Sequence, residues 1–192
     1  MFYNEDCLRG MAKLDASSVD LILTDLPYNI MEYDKNKKPL ELKLIWSEFK
    51  RLLKPCRAVV LFASQRFTIQ LAASNMEWYK YKWCRIKNTT CNFVQAKNRP
   101  LSKCEDILIF SGGVVNHASK TANRMIYNPQ GLKGCNKVQQ NAPTLCYGTP
   151  PSRADGTVYL QTQTGYPTDV LYYDTPPTNG RCHFNQKPTE SS

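Results

Sequence analysis

The chain has 192 residues, of which 42% are hydrophobic and 21% charged, and a formal net charge of +9. This balance fits one soluble globular domain with room for a second small lobe, and no apolar run approaches the about 18 residues that a membrane helix needs. The opening residues, MFYNEDCLRG, place acids where a secretion signal needs bases and then an apolar core, so a cytoplasmic protein without a membrane partner is expected.

In chain order, Phe2 and Tyr3 are expected to end a short strand. Cys7, Leu8, Met11 and Leu14 then recur at helical spacing up to a turn at 15–18. Residues 19–24 read as a buried strand whose end carries Asp25, Leu26, Pro27 and Tyr28. In open α/β sheets the carboxyl end of a strand is where ligands bind. After the polar loop DKNKKP, the apolar positions of 40–53 form one helical face, with Pro55 just beyond it. The continuous apolar run 58–63 suits a strand covered on both faces. A shorter helix over 65–74 precedes two more strands, WYKYKWCRI and EDILIF. This alternation predicts an α/β fold with parallel pairs at the centre of its sheet. Beyond Ser111, prolines break up a polar region that reads as a loop-rich lobe with short strands at 158–160 and 170–173.

The positive charge is uneven. No acid occurs between Glu77 and Glu105, whereas Lys80, Lys82, Arg85, Lys87, Lys97, Arg99 and Lys103 all fall there, interleaved with Tyr79, Tyr81, Trp83 and Phe93. Basic residues mixed with aromatic rings suit a polyanion with stackable rings, namely nucleic acid; the bland alternative is a solvated basic face. The eight cysteines contain no CxxC pair and make no ligand spacing with His117 and His183, so no metal site is expected. Without a secretion signal the cysteines are expected to be reduced.

The segment YNEDCLRGMAKLDASSVDLILTDLPYN resembles the N-terminal block of the β-group amino-methylating (N6-adenine or N4-cytosine) DNA methyltransferases of bacteria and phages. FKRLLKPCRAVVLFASQRF, WCRIKNTTCNFVQAKNRPLSKCEDILIF and HFNQKP resemble the blocks that follow in that family, in the same order. The resemblance implies a partial doubly wound, Rossmann-like sheet in 1–111, a target-recognition region in 112–182, and the start of a cofactor-binding half in 183–192. It also implies double-stranded DNA as partner, S-adenosylmethionine as methyl donor, and a bacterial or phage-infected cytoplasm as location.

An exocyclic amino group is a poor nucleophile because its lone pair is delocalised into the ring. An acceptor held against its N–H stabilises the positive charge that grows as the methyl group arrives. In the family's acid-Pro-Pro-aromatic motif, the acid and the next backbone carbonyl are those acceptors, and the aromatic ring stacks on a base flipped out of the duplex. Carried over, these roles fall to Asp25, the Leu26 carbonyl and Tyr28. Leu26 departs from the family's first proline, while Pro27 still holds Leu26 extended. Lys87, Lys97 and Arg99 are the expected nucleic-acid contacts. Pro55-Cys56 also matches the nucleophile pair of cytosine carbon-5 methylation, but it sits in a turn where the resembling family has glycine.

Asp6 and Lys187 are the cofactor contacts that the resemblance supplies. The family's glycine-rich cofactor turn follows its HPTxKP segment, whereas here the chain runs only from HFNQKP to Ser192. The expectation is therefore an adenine-N6 methyltransferase, truncated, that binds S-adenosylmethionine weakly or not at all unless a complementary cofactor-binding chain or a homodimer completes it. Asp25 favours adenine over cytosine, since family members acting on cytosine more often carry serine there. The alternatives are an N4-cytosine enzyme and a non-catalytic DNA-binding remnant or regulator.

Overall fold

The computed structural model describes residues 3–28, 41–116, 122–140 and 158–174. They fall into two compact units, Met1–Ile126 with Asp169–Ser192, and Tyr127–Thr168.

The larger unit opens with a short helix, α1 (Cys7–Ala12), followed by β1 (Val19–Thr24), α2 (Leu42–Leu52), β2 (Leu53–Ala63), α3 (Gln65–Ser74), β3 (Tyr79–Cys91) and β4 (Ser102–Ser111). A further short strand, β7 (Val170–Tyr172), joins the sheet, whose order is β1-β2-β4-β3-β7. This is the expected α/β class. The expected parallel pairs at the centre need correction, however. β1 and β2 are parallel, but β4 lies between β2 and β3 and runs antiparallel to both. The physical reason is that the connection from β3 into β4, residues 92–101, is shorter than the crossover of about a dozen residues that a parallel pair needs, so β4 returns antiparallel. Tyr3 lies in no strand, and Phe2 is outside the described residues.

Alternation along the strands builds two apolar faces. Val59, Leu61, Leu108 and Phe110 meet Ile45, Trp46 and Phe49 of α2 and Phe67 and Leu71 of α3 in one buried cluster. Ile107 and Ile109 point to the opposite face, against Met125, with Val60, Phe62, Tyr81 and Trp83 around them. The Trp46 indole donates to Ser74 Oγ at 2.7 Å and ties α2 to α3. Arg51 of α2 donates to the Met11 and Leu14 carbonyls, both at 2.8 Å, and so ties α2 to the end of α1 and the turn after it.

Among the described residues β1 is an edge strand. Ile22 packs into the core, whereas Leu21 and Leu23, on the other face, are 53% and 59% exposed.

Two backbone positions explain residues that the sequence left open. Cys56 has φ +62°, in the left-handed region, and interrupts the β1–β2 register; its carbonyl accepts from Ile126 N–H at 3.1 Å. Glycine would be the unstrained residue there. At Gly113, a Cβ would stand 2.8 Å from the Met125 backbone, so this glycine permits a close approach of two chain segments.

The smaller unit contains β5 (Lys133–Gln140) and β6 (Val158–Thr164), paired antiparallel as a two-stranded ribbon. Gln139 Nε2 donates to Gln161 Oε1 at 2.6 Å, and the Tyr159 hydroxyl to Gln139 Oε1 at 3.1 Å. The sequence suggested β6 but not β5.

Candidate active site and nucleic-acid interface

The acid-Leu-Pro-Tyr segment leaves β1 at its carboxyl end, directly after Thr24, which pairs with Leu61 of β2. Each of its four residues has a distinct environment. Asp25 and Pro27 are exposed, whereas the Leu26 side chain is buried in the cluster beneath α2 and α3. Leu26 thus anchors the segment by burial where a proline would do so by stiffness.

Tyr28 is half-buried and packs on the same cluster. Its ring stacks on Phe67 of α3, with centroids 4.9 Å apart and planes 26° from parallel. Among the described residues its hydroxyl oxygen is buried without a partner in good hydrogen-bonding geometry. Burial, and then the adjacent Asp25 carboxylate, hold the hydroxyl well above the ordinary tyrosine range, so it stays protonated. Glu105 and Asp106 add smaller pushes in the same direction.

Asp106 lies in the middle of β4, level with the carboxyl end of β2, paired with Ala63 on one side and Cys84 on the other. Its two oxygens accept from Thr68 Oγ1 and from Lys82 Nζ, both at 2.8 Å. The carboxylate thus ties α3 to β3 beside the stacked rings, and it raises the Lys82 pKa through that hydrogen bond.

The basic block divides by structure. Arg85 is buried and paired with Glu105 at 2.8 Å, and it also reaches the Tyr173 and Asp174 carbonyls just past β7. Lys82 is held by Asp106. Tyr79, Tyr81 and Trp83 pack into the two apolar clusters. These five residues are therefore structural, which corrects the reading of the whole block as one nucleic-acid face. Lys97 and Arg99 lie on the connection between β3 and β4 with the exposed Phe93, while Lys87 is near the end of β3 and Lys103 near the start of β4. Arg99 Nη1 donates to Gln65 Oε1 at 3.0 Å and Lys87 Nζ to Cys91 Sγ at 3.3 Å.

Asp6 is the N-cap of α1, its Oδ1 accepting from the Leu8 and Arg9 amides at 3.0 and 3.3 Å. That role accounts for an aspartate at this position without a ligand. Lys187 and HFNQKP lie outside the described residues. The fit to S-adenosylmethionine is therefore poor among the described residues: Asp6, the expected contact that falls among them, is engaged in capping. No group of three or more metal-ligating side chains occurs among them, and none of their helices is long and apolar enough to cross a membrane.

No protein-family model and no curated protein matches the chain. The fold itself has counterparts among solved structures. PvuII DNA methyltransferase (cytosine-N4-specific) superposes with a TM-score of 0.53 at 13% identity, over 93% of this chain and 58% of that one. M1.HpyAVI in complex with SAM matches with a TM-score of 0.39 at 19% identity, over 61% of this chain and 59% of that one. The chain spans between 54% and 60% of the length of six of the solved structures it matches. The sheet thus has the mixed α/β, Rossmann-like methyltransferase fold, the architecture shared with PvuII DNA methyltransferase.

Proposed function

We propose that this chain is the base-gripping part of an amino-methylating DNA methyltransferase, acting on the exocyclic amino group of an adenine flipped out of duplex DNA. The observation that carries the reading is the end of β1. There an exposed carboxylate, the backbone carbonyl of the buried Leu26 and a ring seated on Phe67 come together on a sheet of methyltransferase fold.

In this reading Asp25 and the Leu26 carbonyl accept the two amino N–H groups. They hold electron density on the nitrogen and stabilise the charge that develops during methyl transfer. Tyr28 supplies the stacking surface on the ring face opposite Phe67. Because its hydroxyl stays protonated, it adds no negative charge there at neutral pH. S-adenosylmethionine would supply the methyl group, yet the described residues do not form its cradle. Transfer is therefore assigned to this chain only together with a cofactor-binding part, whether in the same polypeptide or in a partner. The ribbon of β5 and β6, with its glutamine and tyrosine side chains, suits the target-recognition role expected within 112–182, since a two-stranded ribbon fits the major groove and amides pair with base edges. A cytosine amino group is the second reading, favoured by the N4-specific enzyme whose fold this chain shares.

The test is single-turnover methylation of duplex DNA by the chain with a cofactor-binding part supplied in trans, reading base and atom by mass spectrometry of the nucleosides. Product at the adenine amino group is expected. Product at cytosine carbon 5, or undiminished turnover in Asp25→Ala, would sink the mechanism.

A further inference from the structure

The hairpin between β3 and β4 carries an apolar pair that the base-gripping chemistry does not use. Phe93 is 79% and Val94 97% exposed. They begin a 3-10 turn, Phe93–Gln95, that Asn92 enters in the left-handed region at φ +68°. The turn is well tied: the amides of Gln95, Ala96, Asn98 and Arg99 donate to the carbonyls of Asn92, Phe93, Gln95 and again Gln95. A ring and a branched side chain are thus held out into solvent by an ordered backbone.

The placement of this tip is informative. β1, β2 and β3 run in one direction, because β4 is antiparallel to both β2 and β3. Their carboxyl ends, including the one that carries Asp25, therefore lie on one side of the sheet. Cys84 and Ala63 stand at the same level, both paired with Asp106, and β3 continues to Cys91. Cys91 pairs with Ser102, four residues along β4 from Asp106, so at strand rise this overhang is about 13 Å. Arg99 then bonds Gln65 at the start of α3, the helix that carries the ring on which Tyr28 stacks. Lys87, Lys97, Arg99 and Lys103 flank the apolar pair in a stretch free of acids.

We propose that Phe93 and Val94 form a wedge that enters duplex DNA at the base step beside the base presented to Asp25, while Lys87, Lys97, Arg99 and Lys103 contact the phosphates on either side. The inference rests on the reading of DNA as substrate. Extruding a base unstacks its neighbours, and an apolar side chain that fills the opened step lowers that cost. The positive residues supply affinity irrespective of sequence. Arg99 is a positioning residue as well as a phosphate contact, because its bond to Gln65 sets the tip relative to Tyr28.

The experiment compares binding of the full chain to two short duplexes, one intact and one with a single abasic site, across a series of salt concentrations. A wedge gains most where stacking is already broken, so the abasic duplex is expected to bind roughly tenfold more tightly. Phe93→Ser with Val94→Ser should reduce that preference to within about twofold while leaving the salt slope on the intact duplex in place, since that slope depends on phosphate contacts. Both side chains are largely exposed, so the double variant is expected to fold, which circular dichroism verifies. Phe93→Trp should show indole quenching on the intact duplex. A preference retained in the double variant, no preference in the wild type, or an unquenched indole in Phe93→Trp would overturn the wedge and leave the DNA reading standing. No salt-dependent binding to any duplex by the wild type would overturn both. An exposed phenylalanine among lysines could also enter an anionic bilayer. Loss of binding to phosphatidylserine vesicles in the double variant, with its duplex preference unchanged, would overturn the wedge in favour of that partner.

Discussion

The Tyr28 ring lies on the Phe67 ring at a centroid distance of 4.9 Å, so the aromatic residue that ends the β1 segment is positioned by a helix that begins only at Gln65. Phe67 is 4% exposed and belongs to the core, which makes the stack a rigid seat for Tyr28. Tyr28→Ala should weaken retention of the flipped base by about 1–3 kcal/mol, the value of one stacking contact. Tyr28→Phe should be mild in the same equilibrium measurement on a duplex with a mispaired target base. An equal loss in both variants would mean that the hydroxyl, not the ring, matters.

The same hydroxyl makes stability depend on alkaline pH. Its pKa in the folded chain is raised above the ordinary value of 10.0, by burial first and by Asp25 next. The unfolded chain therefore loses this proton first as pH rises, and above about pH 10 stability falls with pH. Below that, both states keep the proton and the contribution is constant. Urea unfolding at several pH values from about 8 to about 11 should show the decline in the wild type and a shallower one in Tyr28→Phe.

Asp25 should act mainly on turnover. Its charge meets a positive charge that grows only in the transition state, so Asp25→Ala should lower the single-turnover rate by about 10²–10³ and change duplex affinity little. Parallel loss of rate and affinity would instead make Asp25 a binding residue. Both quantities come from one single-turnover titration.

Part of this arrangement was legible in the sequence, and the parts that were not share a cause. β1 and the residues that end it follow from a short apolar run stopped by an acid, a proline and a tyrosine. The stripe of Ile45, Trp46, Phe49 and Leu52 likewise places α2, and all four side chains are buried. What escaped is long-range pairing. No local pattern tells that β4 inserts between β2 and β3, because the competing registers differ only in distant partners. The basic block was over-read for the same reason: the acids that neutralise Lys82 and Arg85 are Asp106 and Glu105, just outside the acid-free window and brought opposite by the hairpin register. β5 was missed because Lys133–Gln140 is polar and contains a glycine, so its strand character comes from pairing with β6 rather than from apolar alternation.

The Arg85–Glu105 pair should dominate the stability of its corner. Both side chains are nearly buried, at 6% and 12% exposure, and Arg85 also holds the chain just past β7. Removing one partner leaves the other charge buried and uncompensated, which costs about 3–5 kcal/mol. Glu105→Ala should therefore lose that much in chemical denaturation. Replacing both residues with apolar ones of similar size should recover much of it. A loss below about 1 kcal/mol would show that water reaches the pair as it does an exposed one.

Cys56 offers the opposite sign. A non-glycine residue in the left-handed region carries about 1–2 kcal/mol of strain, and glycine gives back about 0.4–1 kcal/mol through the greater freedom of the unfolded chain. Cys56→Gly should thus stabilise the fold by up to about 1 kcal/mol, read as a higher denaturation midpoint with unchanged slope. It should leave methylation intact, whereas a catalytic thiol would be lost with it.

The exposed outer side of β1 governs how the chain behaves at high concentration. Among the described residues Val19–Thr24 pairs on one side only, which leaves a row of backbone donors and acceptors about 20 Å long beside the exposed Leu21 and Leu23. Asp20 bears charge at the start of that row, in ion pairs with Lys54 and Arg57, but among the described residues nothing comparable guards Leu23. Such an edge is a template for another strand, and where no complementary strand is present a second molecule can serve. Sedimentation velocity should then show reversible self-association that grows with protein concentration and persists in high salt. Leu23→Lys, a single gatekeeper charge on the solvent side, should suppress it and keep the protein in solution.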